Sequence, residues 1–107
     1  MLRNRGACAL RVLLAAAPAQ AGGGLWPADG VYCGPAGTRA IVVAGTSLGI
    51  DGLDCRGGLL RAGRYVAQRC FADGGSVVDV DTDLAMRPDG SLMHDGAVLR
   101  RARPPCP

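Results

Sequence analysis

Five of the nine acidic residues in this 107-residue chain stand immediately before a glycine: Asp29-Gly30, Asp51-Gly52, Asp73-Gly74, Asp89-Gly90 and Asp95-Gly96. Asp tolerates a left-handed backbone because its short side chain can bond locally, and Gly tolerates one because it has no Cβ to clash. Such pairs turn a chain back on itself within two residues. Corners this frequent leave room only for short segments, which read as short strands. All nine acids are Asp and none is Glu. Asp favours turns and Glu favours helices, so the composition also leans away from helix. The expected fold is all-β, a small antiparallel meander or barrel-like sheet.

The strands between the corners can be placed. A first strand is expected at 31–34, followed by a Pro35-Ala36-Gly37 turn. The apolar run 40–44 is apolar on both faces and is expected to lie centrally. A brief strand follows at 48–50, and another at Arg64–Phe71 after the Gly57-Gly58 break, with its inward face ambiguous. The clearest pattern is in the C-terminal third, where Val78, Val80, Thr82, Leu84 and Met86 alternate with Asp79, Asp81, Asp83, Ala85 and Arg87. Period-two alternation marks a half-buried strand. Turns at Pro88-Asp89-Gly90 and Asp95-Gly96 would fold 91–94 and 97–101 back as a meander. A two-residue turn pairs Met93 with Val98 on one face and Leu92 with Leu99 on the other.

The first 21 residues read as a removable, helical signal peptide. Arg3, Arg5 and Arg11 give the basic start, 12–17 give an apolar stretch, and Ala19-Gln20-Ala21 gives a small-x-small cleavage site. The alternative is an N-terminal amphipathic helix that stays attached, since the apolar stretch is short and interrupted by Pro18. Cys8 precedes the apolar stretch instead of following it, which excludes a lipoprotein attachment site. Residues 22–107 then form one small β domain, with no membrane span after signal cleavage. That domain holds nine Arg and nine Asp and no Lys. A net charge of zero argues against nucleic-acid binding, which rests on an excess of positive charge.

Four cysteines remain in the domain: Cys33, Cys55, Cys70 and Cys106. An even count in a short exported chain signals disulfides, and four cysteines allow three pairings among which sequence alone does not choose. The expected pairing is Cys33 with Cys106, joining the chain ends, and Cys55 with Cys70, linking neighbouring strands. A core this small has a thin stability margin, so such staples matter. No Cys-x-x-Cys exists to suggest zinc.

Other candidate sites are weaker. Asp79, Asp81 and Asp83 resemble the opening of a calcium loop, but Leu84 stands where that loop needs Gly and the chain has no Glu to close it. The expectation is a solvated face balanced by arginines on adjacent strands, from among Arg61, Arg64, Arg69, Arg100 and Arg101. His94, the only histidine, is expected to be a partly exposed residue beside a turn. Catalysis would need an oriented partner and a pocket around it. Trp26 is expected to plug one end of the core. No catalytic, cofactor-binding or metal-binding residue is expected.

Val31-Tyr32-Cys33 and Ala62-Gly63-Arg64-Tyr65 resemble segments of bacterial inhibitors of C-type lysozyme, and the likeness is confined to them. The functional expectation is a small exported domain, periplasmic or extracellular, that is not an enzyme and acts as a binding or structural module on an unknown protein or small ligand. The alternative, which the resemblance implies, is a proteinaceous inhibitor of a secreted hydrolase such as lysozyme. An inhibitor should present an exposed rigid loop, a ligand carrier an apolar cavity, and an enzyme polar residues converging on a cleft around His94.

Overall fold

The computed structural model describes residues 26–107. The expected signal peptide at 1–21, and the start of the domain before Trp26, lie outside the described residues.

The corners do organise an all-β fold. Ten strands follow one another: β1 (Gly30–Cys33), β2 (Ile41–Ala44), β3 (Ser47–Ile50), β4 (Leu53–Arg56), β5 (Leu59–Arg61), β6 (Arg64–Phe71), β7 (Val77–Asp83), β8 (Ala85–Met86), β9 (Leu92–His94) and β10 (Ala97–Ala102). Every pairing is antiparallel. Asp51-Gly52 and Asp95-Gly96 form two-residue hairpins, with both residues of each pair at positive φ (53° and 79°, 51° and 80°). That is the backbone which matches the twist of the flanking strands. Asp73-Gly74 lies in a single 3-10 turn, Asp73–Gly75, between β6 and β7. Asp29-Gly30 does not make a corner. Its Asp29 Oδ1 instead accepts the Gly45 N–H at 2.9 Å, tying the segment before β1 to the β2–β3 turn.

The sheet curls until its ends nearly meet. β6 pairs with β7 and β8 pairs with β9, while only Leu84 separates β7 from β8. One bent strand therefore belongs to both ends of the sheet. β4 and β5, which flank Gly57-Gly58, likewise form one kinked stave, both halves pairing along β6. With β10 paired to β1, the ten strands act as the staves of a nearly closed antiparallel barrel. Closure removes most of the exposed edge that an open sheet would offer to other chains.

The inner face is apolar. Tyr32, Ile41, Val43, Leu48, Ile50, Tyr65, Leu84, Leu92 and Leu99 are each 2% exposed or less. The β9–β10 hairpin has the expected register, Met93 opposite Val98 and Leu92 opposite Leu99, with the two leucines inward. The 40–44 run differs from expectation. Ile41 and Val43 point into the barrel, whereas Val42 is 43% exposed. A barrel wall has one packed face, so an apolar residue on the other face meets solvent.

The ambiguous facing of β6 is resolved by a β-bulge. Tyr65 and Ala67 point inward, and strict alternation would send Cys70 outward. Between Ala67↔Val80 and Cys70↔Val78, β6 uses one residue more than β7 does, and the extra residue resets the phase. Cys70 thereby turns inward opposite Cys55. Disulfides join Cys55 to Cys70 within the core and Cys33 to Cys106 at the C-terminus.

Candidate functional site

Both ends of the barrel carry clefts, and the sequence places different chemistry at each. At one end, the β3–β4 turn, the end of β7 and the β9–β10 turn converge on His94. Its imidazole is 8% exposed and not, as expected, a partly exposed turn residue. The hairpin turn that follows it carries the ring under the neighbouring turns instead of out to solvent. Nδ1 donates to the Asp83 carbonyl at 2.6 Å, and Nε2 lies 3.0 and 3.1 Å from the two carboxylate oxygens of Asp51. A carbonyl and a carboxylate both accept, so this arrangement favours the doubly protonated ring over the neutral one. Burial pushes the His94 pKa down most strongly. The Asp83 carbonyl and the Asp51 carboxylate together outweigh it, and the net pKa lies above the ordinary histidine value.

A cleft of about 290 Å³ beside this ring is lined by Thr38, Arg39, Asp51, Asp95 and Ala97. Polar residues therefore do converge around His94. Both nitrogens of the histidine ring are engaged, one by the Asp83 carbonyl and one by the Asp51 carboxylate. Its role here is to clamp three elements together. Asp83 completes the clamp by accepting the Asp95 N–H at 2.8 Å.

The aspartate row on β7 is dispersed among different partners. Arg64, on the adjacent strand, donates Nε and Nη2 to Asp81 Oδ1 at 3.0 and 2.6 Å, and Asp83 serves the His94 turn. Arg64 is thus the cross-strand arginine that offsets this face. All three aspartates are exposed.

The opposite end of the barrel holds a larger cleft, about 480 Å³, lined by Trp26, Ala28, Tyr32, Met86, Asp89, Gly90, Ser91, Arg100 and Arg101. Three separate segments build it: the chain leading into β1, the β8–β9 turn and the last residues of β10. Trp26 packs against the core as expected, its ring tilted 49° to Tyr65 with centroids 6.2 Å apart, and its Nε1 donates to the Gly45 carbonyl at 2.6 Å. Tyr32 is held likewise by its hydroxyl, which donates to the Ala28 carbonyl at 2.6 Å. Burial raises the Tyr32 phenol pKa, while the Arg101 guanidinium beside it pulls the other way.

Among the described residues that line this cleft Asp89 is the one carboxylate, and both its oxygens accept hydrogen bonds. Oδ1 accepts the Ser91 N–H at 3.0 Å and the Ser91 hydroxyl at 2.6 Å, and Oδ2 accepts Arg100 Nη1 at 2.9 Å. The Ser91 hydroxyl, followed by its N–H and by Arg100, holds this carboxyl far below the usual carboxylate range.

Sequence reasoning considered Trp26 for this end but missed Tyr32, Met86 and Arg101 as its companions. A usable signal was the β10 alternation, since Ala97, Leu99 and Arg101 share a face and Leu99 is inward. Arg101 therefore emerges from the inner face just where the barrel ends. Compared with protein-family models, with curated proteins and with solved structures, the chain matches none.

Proposed function

We propose that this chain is an exported, non-enzymatic binding module working in an oxidising compartment, periplasmic or extracellular, through the cleft at the Trp26 end of its barrel. The carrying observation is that cleft itself: about 480 Å³, with the Trp26 ring fixed by a hydrogen bond in its wall, the buried Tyr32 packed behind it, and two arginines at its rim. Its volume falls in the range of small-molecule sites, which commonly occupy the mouths of β-barrels. The two disulfides support the compartment, because such bonds persist where thiols are not kept reduced. Binding is favoured over catalysis because the polar groups near each cleft are spent on one another. Both His94 nitrogens are engaged, and Asp89 is a weak base held by three donors.

The test exploits Trp26, the chain's single tryptophan. Fractionated small molecules from culture fluid are screened against the oxidised chain by tryptophan emission and thermal shift. A ligand that moves both, and whose effect disappears in Met86→Arg, supports the reading. Ligands that raise the melting temperature equally in wild type and Met86→Arg would place binding elsewhere.

A second reading, inhibition of a secreted hydrolase such as lysozyme, is favoured by the β5–β6 hairpin. Its Ala62-Gly63 turn is a tight two-residue hairpin, with φ of 53° and 76°, and exposed. Beside it Leu59 and Val66 face solvent as cross-strand neighbours, 66% and 44% exposed. A tight turn with an apolar flank suits docking to a protein at low entropic cost. The resemblance in Ala62-Gly63-Arg64-Tyr65 falls on this hairpin. Cell-wall lysis by a C-type lysozyme, measured with added protein, tests it: inhibition lost in Leu59→Asp would favour this reading, and undiminished lysis at micromolar protein would end it.

A further inference from the structure

We propose that the cleft at the Trp26 end takes a small organic monocarboxylate, with the acid group on Arg101 and a short aromatic or aliphatic body against Trp26 and Met86. This rests on the binding-module reading and names its ligand class.

The charge arrangement supplies the first half of the argument. Arg100 and Arg101 both line the cleft, but they differ in their partners. Arg100 is paired to Asp89, whereas Arg101 forms no ion pair among the described residues. Asp89, the one carboxylate among the described residues lining the cleft, takes two donors from Ser91 and one from Arg100 and makes no ion pair with Arg101. The cleft thus carries one uncompensated positive charge, and that charge is a planar fork whose donors match a carboxylate.

Arg101 is also held in place. It is the register partner of Tyr32, and its stem lies over Gly30, where an added Cβ would come within 3.1 Å of Arg101 Cγ and Cδ. Gly30, at φ +151°, thus gives the arginine stem its path across the strand. A guanidinium supported this way loses less freedom on binding than one on a loose stem.

The second half concerns the body of the ligand. Trp26 and Tyr32 have given their only N–H and O–H donors to the Gly45 and Ala28 carbonyls. Trp26 therefore offers the cleft carbon surface, Met86 adds a pliable thioether beside it, and Tyr32, buried in the core, backs the wall from within. A polyol such as a sugar needs many hydrogen-bonding partners and would leave its hydroxyls poorly matched here. A lone inorganic anion would use Arg101 and leave the apolar wall idle. A carboxylate with a short apolar group uses both.

The experiment titrates the oxidised full chain with phenylacetate and hexanoate, with phenethyl alcohol as the neutral analogue and inorganic phosphate as the bare anion. Tryptophan emission and thermal shift are followed in parallel. The expected result is that both acids bind at least about tenfold more tightly than the alcohol or phosphate, the range expected for a hydrogen bond to a charged group. Arg101→Gln should abolish that preference, Arg101→Lys should keep part of it, and Arg103→Gln should leave it intact. Equal affinity for acid and alcohol, unchanged in Arg101→Gln, would overturn the carboxylate assignment while leaving a binding cleft. Phosphate binding as tightly as the acids would make it an inorganic anion site. No response to any of the four probes by either readout would overturn the ligand class, and the screen of natural fractions would then decide the cleft reading separately.

Discussion

The two disulfides should differ in how they open, and the order is fixed by where the barrel puts them. Cys55 and Cys70 are both 0% exposed and sit opposite each other on paired strands of the wall. Cys33 and Cys106 are half-buried, and Cys106 lies on the short tail after β10. Thiol–disulfide exchange requires a thiolate to reach a sulfur, so access decides which bond reacts first under native conditions. The Cys33–Cys106 bond spans 73 residues and the Cys55–Cys70 bond 15. In the chain-entropy model those loops correspond to about 4.4 and about 3 kcal/mol at 25 °C. Opening the outer bond alone should lower the melting temperature by roughly 18–35 °C for a domain of this size and leave the barrel folded. Opening both removes about 7 kcal/mol from a stability that for native domains is about 5–15 kcal/mol, enough to unfold or nearly unfold the chain. The assay is graded reduction of the folded protein, trapping by alkylation, and peptide mapping of each partly reduced species. The first species should be alkylated at Cys33 and Cys106 with Cys55–Cys70 intact. Alkylation of Cys55 and Cys70 first, or a fully reduced chain melting at the temperature of the oxidised one, would refute the argument from burial and loop length.

Three further outcomes follow from individual residues. His94 has a folded pKa above its ordinary 6.5, so the stability it contributes is complete below that value and fades as pH rises through the folded pKa. Melting temperature should therefore fall as pH rises above about 6.5, and Asp51→Asn should flatten the slope. The charged groups at this cleft are Asp51, Asp83, Asp95 and Arg39, so a slope unchanged in both Asp51→Asn and His94→Gln would assign it elsewhere. Gly58→Ala would drive a Cβ into the buried ring of Tyr65 and should cost about 1–3 kcal/mol in denaturant unfolding; a loss below that range would mean the β4–β5 kink yields easily. Ala62 stands at φ 53° in the β5–β6 turn, where Asn is better tolerated, so Ala62→Asn should stabilise the domain by about 1 kcal/mol in the same assay; destabilisation would mean the turn is not the I′ type.

What the sequence made legible was whatever depends on near neighbours. Asp95-Gly96 with apolar residues either side specifies a hairpin and its register, because turn type and side-chain alternation are set within a few residues. The Arg64–Phe71 strand was visible for the same reason. Its facing was not, because the bulge after Ala67 answers to the partner strand, and a pattern broken by one residue looks the same on both faces until β7 is in place. β4 and β5 were missed since Gly57-Gly58 reads as a break in the chain. In the barrel, Gly58 lets one stave kink past the Tyr65 ring and resume its pairing. The Asp29 side chain, like the others, favours a turn locally, yet its partner is Gly45, placed beside it only by the β1–β2 pairing.

The two clefts show the same division between local and distant determinants. Nothing near His94 in the chain announces Asp51, which lies 43 residues away and arrives only when the barrel stacks two hairpin turns side by side. His94 could therefore be judged from sequence only as a lone histidine beside a turn, and its burial was misjudged. Arg101 is the more instructive case, because its meaning depends on a neighbour's occupation as well as on position. With two guanidiniums and one carboxylate, the described lining of this cleft keeps one positive charge however the groups pair. The β8–β9 turn commits Asp89 to Ser91 and Arg100, and Arg101 is the guanidinium left without an ion pair among the described residues, in the cleft that Trp26 and Met86 also line. A turn built from Asp89 and Ser91 thus selects which arginine of its own cleft stays open, a consequence that only the closed barrel makes readable.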